Sequence, residues 1–312
     1  MTPEPHPEGV PAPKSPLAPP NGPVAGARAV FWNERELRAG WRLAIFVLVV
    51  ALLAMGGAFL LTILHVTQAM RAGVTPASIL VQESIGFAAA LAATAMMGAL
   101  ERRPFGGYGL PGATAFGAPF WQGAAWGIAM IAAMILLIRV FGGFSFGGFA
   151  LQGPALWRYA LLWGVAFLFV GFFEEFLFRG YAQFTLTTGL GFWPAAAMLS
   201  ALFGGLHLAN GGEGKVGALS VFVIGMFFCL TLRRTGSLWF AVGLHAAFDW
   251  GETFLFSVPD SGIVASGHLL NSSLHGPVWL TGGTVGPEGS VMAFVVVALA
   301  AVLFARVYPP LE

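Results

Sequence analysis

The chain has 312 residues, of which 57% are hydrophobic and only 9% are charged, whereas soluble domains carry about 25% charged residues. This composition excludes a soluble globular protein and indicates a polytopic membrane protein, with room for about seven to nine helices of roughly 20 residues each. The formal net charge is only +1. Because the Lys and Arg residues stand at the ends of apolar segments rather than along one face, we expect no nucleic-acid partner.

The predicted elements begin after a Pro-rich, polar segment at residues 1–28, which predicts a disordered cytoplasmic tail and not a cleavable signal peptide. Residues 29–312 are predicted to form one membrane domain. Apolar runs in this part predict about eight transmembrane helices, at about residues 43–66, 79–100, 120–141, 157–180, 193–210, 216–232, 238–256 and 290–307. The expected fold class is therefore all-α, a polytopic membrane helical bundle in the lipid bilayer.

The basic residues predict how this bundle is oriented. If the N-terminus is cytoplasmic, most Lys and Arg residues, including the pairs Arg102-Arg103 and Arg233-Arg234, fall in cytoplasmic segments. The loop between the last two spans holds no Lys or Arg, as expected for an external segment. We therefore predict a multi-pass protein of the plasma (inner) membrane with both termini in the cytoplasm.

The fourth predicted span contains an unusual polar sequence. Glu174, Glu175 and Arg179 interrupt an otherwise apolar run, and each charge costs about 2.5–3.5 kcal/mol at the centre of a bilayer. Such residues persist in membrane helices when they pair, face a wet cavity or take part in chemistry. The segment therefore indicates a functional site.

Helical spacing predicts which polar side chains share a face. Glu175 and Arg179 are four residues apart and can pair on one helix face, and the same holds for His245 and Asp249. The simplest interpretation of Glu175 with Arg179 is a supporting ion pair that holds the helix in register, with direct participation in the reaction as the alternative. Glu252 follows near the external end of its span, where we expect a solvated or interhelical role.

Depth in the bilayer predicts which helices bring their polar residues together. Spans four and five should form a hairpin whose turn lies around residues 189–191, and Glu174 and His207 are each roughly 20 Å from that turn at 1.5 Å per residue. Span seven begins on the same side, which places His245 roughly 14 Å and Asp249 roughly 20 Å deep. Four candidate residues from three helices should therefore occupy one layer.

This combination of residue types is typical of water activation. A carboxylate can act as the general base, and histidines can serve as metal ligands, as proton carriers or as hydrogen-bond donors to an oxyanion. The chain has no H-E-x-x-H zinc motif and no G-x-S-x-G nucleophile motif. The candidate chemistry must therefore be built from side chains on separate helices.

Three motifs carry a resemblance to a known family: Glu174-Glu175-x-x-x-Arg179, Phe203-x-x-x-His207 and His245-x-x-x-Asp249. In order and separation they resemble the motifs of the CPBP family, the CAAX-type prenyl endopeptidases and their Abi-type bacterial relatives linked to bacteriocin processing and self-immunity. The motifs fall within a predicted catalytic core at about residues 157–256.

The resemblance implies an intramembrane endopeptidase in which Glu174 and His207 activate water. His245 and Asp249 would complete the catalytic site as oxyanion donors or as metal ligands. A divalent metal such as zinc would then have His207, His245 and Asp249 as candidate ligands. The implied partner is a protein or peptide substrate, with lipid modification left open.

Asp249 departs from the family pattern, which often has Asn at this position. An Asn amide can donate a hydrogen bond to an oxyanion, whereas an ionised Asp only accepts. Asp249 is therefore suited to metal ligation, to the orientation of His245, or to donation in its protonated form.

Two other functions fit parts of the same pattern. A catalytically silent relative would act as a membrane binding or immunity protein and would keep the motifs without cleaving a substrate. A proton-coupled transporter would use the buried acids as a relay, but the chain shows neither an inverted repeat nor matching interrupted helices. The sequence therefore favours a peptidase, with the silent relative as the alternative.

Overall fold

The computed structural model describes residues 26, 28–34, 36–64 and 73–310, so the predicted tail at residues 1–28 lies almost wholly outside the described residues. The described chain is a bundle of α-helices, and 73% of the residues are helical. This confirms the predicted all-α fold class. A short antiparallel pairing of β1 (Phe144–Ser145) with β2 (Ser273–Leu274) joins two loops at one end of the bundle.

The helices are α1 (Arg28–Phe31), α2 (Ala39–Ile63), α3 (Pro76–Glu101), α4 (Ala118–Val140), α5 (Pro154–Leu177), α6 (Gln183–Leu190), α7 (Phe192–His207), α8 (Lys215–Thr235), α9 (Leu238–Trp250), α10 (Val278–Thr281) and α11 (Val291–Val307). Two π-helical turns, Phe178–Ala182 and Gly251–Leu255, follow α5 and α9. Three short 3₁₀ turns lie in loops, at Phe105–Tyr108, Gly112–Thr114 and Pro287–Gly289.

Five helical segments are long and apolar enough to cross a membrane: α2, α3, α4, α8 and the continuous stretch Pro154–Leu190. The remaining three predicted spans correspond to the shorter helices α7, α9 and α11, of 16, 13 and 17 residues. A span of the hydrocarbon core takes about 20 residues. The chain is thus a multi-pass membrane protein, and the count of eight spans stays a prediction.

Local signals in the sequence explain several helix boundaries. Thr75 caps α3 through a reciprocal pair of bonds with Ser78, and Pro76 occupies the first turn, where its missing N–H costs nothing. Ser237 caps α9 by accepting from the Trp239 N–H. Gly236, with a φ of 68°, ends α8 in the left-handed conformation that glycine adopts freely.

Glycine contacts fix α9 against α4. A Cβ atom added at Gly123 would clash with the backbone carbonyl oxygen of Phe240, and one at Gly127 would clash with that of Leu244. In the other direction, a Cβ at Gly243 would clash with the Phe120 carbonyl. Small residues allow helix backbones to approach closely in this way in membranes. The contact holds α9, which carries two candidate site residues, in one position along and around its axis.

Candidate active site

A cavity of about 250 Å³ lies among the helices, and side chains from α3, α5, α7, α8, α9 and the loop after α9 line it. Glu174, His207, His245 and Asp249 are all among the lining residues. A cavity of this size holds several water molecules. The structure therefore places the four candidate residues around one space, as their helical depth predicts.

Glu174 comes from α5 and presents its carboxylate to this cavity. Its side chain is 22% exposed, and its Oε2 atom lies 3.6 Å from Nε2 of His245 on α9. The neighbouring residue, Glu175, is fully buried on a different face of the helix. Of the two adjacent acids, Glu174 is therefore the one that water can reach.

His245 is held at both ring nitrogens. Its Nδ1 atom lies 3.0 Å from Oε1 of Glu175, and its Nε2 atom lies 3.5 Å from Oδ2 of Asp249 as well as near Glu174. The ring stacks on Phe228, with 5.0 Å between the ring centroids. A carboxylate accepts hydrogen bonds, so Nδ1 is protonated and donates to Glu175. The contacts of Nε2 also require a proton, which lies between Nε2 and the carboxylate of Glu174 or Asp249.

Glu175 and Arg179 form the buried ion pair that their spacing predicts. Arg179 Nη1 lies 3.2 Å from Glu175 Oε1, and neither side chain is exposed. The guanidinium lies 4.5 Å from the ring centroid of Phe203 and 5.3 Å from that of Phe228, distances at which aromatic faces attract cations. A Cβ at Gly225 would lie 2.6 Å from Arg179 Nη2, so this glycine makes room for the arginine.

Both helices that carry these residues change pitch at the site. Arg179 lies within the π-helical turn Phe178–Ala182, where Gly180 has the non-helical angles φ −80° and ψ −122°. The other π-helical turn, Gly251–Leu255, begins two residues after Asp249. Such turns occur frequently at functional sites because they redirect side chains.

His207 lies at the C-terminal end of α7. Its Nδ1 atom is 2.9 Å from the carbonyl oxygen of Phe203, and the two rings meet edge to face with centroids 4.6 Å apart. A carbonyl only accepts, so Nδ1 donates and Nε2 is left to interact with the contents of the cavity. In the described part of the chain no carboxylate is within ion-pair distance of His207; the structure brings Glu174 to His245 instead.

The predicted metal ligands are His207, His245 and Asp249, and a shared ion would limit the distances between their donor atoms. Ligand atoms lie about 2.0–2.2 Å from a zinc ion, so no two of them are more than about 4.4 Å apart. The donor atoms of His207, His245 and Asp249 do not all lie within 4.8 Å of one another in the described residues. In this arrangement the three side chains do not fit one shared zinc ion, and the metal stays a prediction from the sequence.

One acidic residue of the cavity, Glu83, was not predicted from the sequence. Glu83 on α3 lines the cavity and is buried, with Gln82 Nε2 donating to its Oε1 at 3.3 Å. Its Oε2 atom has no hydrogen-bond partner. Glu83 is the sole charged residue between positions 79 and 100, and a lone acid in a membrane span is a signal that could have found it.

The fold and this cavity define a class: a helical membrane protein with acids and histidines converging inside the bundle, which is the arrangement expected of a membrane-embedded hydrolase. Residues 154–251 match the family model described as Rce1-like, type II CAAX prenyl endopeptidase. This confirms the resemblance seen in the three motifs, all of which lie in the matched segment. The match supports the recognition of a CPBP/CAAX protease-like domain in this segment.

The family match supports the general function of an endopeptidase that works in the membrane on a protein or peptide. No curated protein matches the chain.

Proposed function

We propose that this protein is an intramembrane endopeptidase in which Glu174 and His207 activate a water molecule for attack on a peptide bond. The proposal rests on one observation above all. The water-accessible carboxylate of Glu174 lies 3.6 Å from Nε2 of His245, and the opposite nitrogen of that ring is fixed by the buried Glu175.

In the proposed reaction, a water molecule in the cavity gives one proton to Glu174 and attacks the carbonyl carbon of the scissile peptide. The Nδ1–H group of His207 donates a hydrogen bond to the Phe203 carbonyl, which leaves Nε2 of the same ring as an acceptor. Nε2 is therefore suited to accept a hydrogen bond or a proton from the same water. The carbonyl oxygen becomes an oxyanion. When the C–N bond breaks, the leaving nitrogen takes up the proton held by Glu174.

His245 is proposed to stabilise the oxyanion, and Asp249 to orient the ring of His245. With Nδ1 donating to Glu175, the proton on Nε2 is available either to Asp249 or to a developing oxyanion in the cavity. In the resting enzyme Asp249 would accept the hydrogen bond from Nε2 and so orient the ring of His245. This role suits an aspartate, which as a carboxylate cannot itself donate to the oxyanion.

A cleavage screen on the purified full-length protein in nanodiscs tests the proposal. The substrates are membrane-anchored reporter peptides, with and without a C-terminal isoprenoid, so that the screen also addresses whether lipid modification matters. Wild type is expected to cleave at least one class, while Glu174→Gln and His207→Ala proteins that insert normally are expected to be inactive. Full activity of both variants would refute the mechanism.

The catalytically silent alternative makes the opposite prediction. A binding or immunity protein would function in a deletion strain whether or not Glu174 and His207 are intact. Complementation by both variants, together with no cleavage by wild type, would favour it.

A further inference from the structure

Three acids outside the proposed catalytic group meet at the end of the bundle where α9 terminates. Carboxylate oxygens of Glu252, Asp260 and Glu288 lie within 4.8 Å of one another. Glu252 belongs to the π-helical turn after α9, whereas Asp260 and Glu288 come from the long loop before α11. They form the one such group of acids, histidines or cysteines in the described residues.

Glu252 is the buried acid of this group that has no partner within the protein. Its side chain has no exposed surface, and neither carboxylate oxygen has a hydrogen-bond partner. Of the two roles expected for this residue, the solvated one is therefore wrong, and an interhelical role stays a prediction. A buried carboxylate without a partner costs several kcal/mol, so its oxygens require either a proton or a cation.

The other two acids are held in place by hydrogen bonds from Ser261 and Thr253. Glu288 Oε2 accepts from the backbone N–H of Ser261 at 3.0 Å and from its hydroxyl at 2.5 Å. Asp260 Oδ2 accepts from the Thr253 hydroxyl at 2.9 Å. Each acid has one oxygen fixed by these bonds, which leaves its second oxygen available for a ligand.

No basic side chain neutralises the group. In the described part of the chain, no Lys, Arg or His lies within 4.0 Å of a carboxylate oxygen of Glu252, Asp260 or Glu288. Burial, and next the charge of Glu288, raise the pKa of Asp260 to about 8. Three crowded acids with no internal counter-charge favour their protonated forms, and a bound cation would take the place of those protons.

We propose that Glu252, Asp260 and Glu288 bind one hard divalent cation of the Ca²⁺ or Mg²⁺ class. Hard cations prefer carboxylate oxygens, with neutral oxygens or water completing their coordination. The site is separate from the proposed catalytic group and does not depend on the proposed function. Asp260 and Glu288 also line the central cavity, which gives the ion a route of entry.

Such an ion would connect the loop between α9 and α11 to the C-terminal end of α9 by coordinating residues of both. Glu252 lies three residues after Asp249, and the two loop acids lie 28 residues apart in the chain. One cation shared by all three would tie the cavity-lining loop to the helix that carries His245 and Asp249. The expected effect is on the stability of the folded protein, with an effect on cleavage only through the position of α9.

The test is the thermal melting of the full-length protein in neutral detergent after treatment with EDTA, at pH 8.5. CaCl₂, MgCl₂ and MnCl₂ are titrated to 10 mM, with choline chloride at equal ionic strength as the control for screening. At least one cation is expected to raise the Tm of wild type saturably, by about 5 °C or more. Glu252→Gln and Asp260→Asn should lose this rise, and without cation they should melt above wild type because a repulsive charge is gone.

Two controls make the outcome specific. Glu83→Gln removes a different buried acid of the same cavity and should keep the full cation response. Glu174→Gln should also keep it while losing cleavage, so a failed peptidase mechanism is distinguishable from a failed cation site. If the two cluster variants do not fold, Mn²⁺ binding to wild type, followed by electron paramagnetic resonance, should give about one competable ion per chain.

The proposal is overturned if none of the three cations raises the Tm of wild type beyond the choline control. It is also overturned if Glu252→Gln and Asp260→Asn respond as wild type does, since the ion would then bind elsewhere. Absence of competable Mn²⁺ on the folded wild type would mean that the cluster holds only protons.

Discussion

Nδ1 of His245 lies 3.0 Å from Oε1 of Glu175, the same oxygen that lies 3.2 Å from Nη1 of Arg179. One buried carboxylate oxygen thus links an arginine on its own helix to a histidine on α9. Helical spacing alone explains the pair with Arg179 and gives no hint of the histidine. Glu175 is therefore best described as a positioning residue that orients His245 toward Glu174.

Removal of Arg179 alone should be costly. Arg179→Met leaves Glu175 buried with no compensating charge from the arginine, which typically costs about 3–5 kcal/mol of stability. The double variant Glu175→Leu with Arg179→Met removes both charges and should recover most of that loss. Thermal melting of the detergent-purified proteins measures both effects.

The same double variant separates positioning from stability. Leu at position 175 cannot accept the proton of His245 Nδ1, so cleavage should stay about 10²-fold below wild type even where the Tm recovers. Recovery of both stability and cleavage would mean that Glu175 serves the fold alone.

Substitutions of Asp249 should distinguish hydrogen bonding from charge. Asp249→Asn keeps an oxygen that can accept from His245 Nε2, 3.5 Å away in wild type, and should retain activity within about tenfold, the worth of roughly one hydrogen bond. Asp249→Leu has the same branching but no acceptor and should lose at least about 10²-fold. Initial rates on one reporter peptide give the comparison; equal activity of the two variants would remove Asp249 from the proposed site.

The glycine contact between α4 and α9 should be sensitive to a single methyl group. Gly127→Ala forces a Cβ into the Leu244 carbonyl, and overpacking of this kind costs about 1–3 kcal/mol. Gly56→Ala is the matched control, because a Cβ there meets nothing within 4 Å, and it should be neutral or stabilising by up to about 1 kcal/mol. Melting temperatures that fall equally in both variants would contradict the close approach.

The raised pKa of Asp260 predicts a pH dependence in the presence of EDTA. The ordinary value is 3.8, and burial together with Glu288 raises the pKa to about 8 in the folded protein. Between these values the unfolded chain binds fewer protons than the folded one, so stability should fall as pH rises from about 4 to 8. Asp260→Asn should flatten the fall in Tm across this window; an unchanged slope would show that other groups cause it.

Most of the fold could be predicted from the sequence because hydrophobic run length dictates where spans lie. The interiors of the runs at residues 79–100 and 216–232 lie within α3 and α8. The ends of the helices were less predictable. The run at residues 193–210 is helical only to His207. Its last residues form a loop, in which the Asn210 side chain donates a hydrogen bond to the Ser261 carbonyl.

The candidate site was partly predictable for the same reason. Helical rise predicted one layer for Glu174, His207, His245 and Asp249. The structure brings the carboxylates of Glu174 and Asp249 within 3.6 Å of His245 Nε2, while His207 lines the same cavity. The contact of Glu175 with His245 depends on how α5 is rotated against α9, which the tertiary packing of the bundle decides. No periodicity encodes that rotation.

The acids of the loop could not be assigned to a site from the sequence. Asp260 and Glu288 are brought together by the fold of the segment between α9 and α11, including the bonds from Ser261. Loops lack the regular spacing that lets helix positions be placed on a face. Glu83 could have been predicted as a site residue from the sequence, because a lone acid in an apolar span always requires an explanation.

The most direct test of the central claim is the cleavage rate of a membrane-anchored peptide by wild type and by Glu174→Gln, in nanodiscs at equal amounts of folded protein. Glu34→Gln, at an exposed position outside the cavity, is the matched control. Loss of a general base reduces the rate by about 10²–10⁴-fold, so Glu174→Gln should fall by that amount with an unchanged Tm, while the control keeps wild-type activity. Cleavage by Glu174→Gln at the wild-type rate would contradict the assignment of Glu174 as the base.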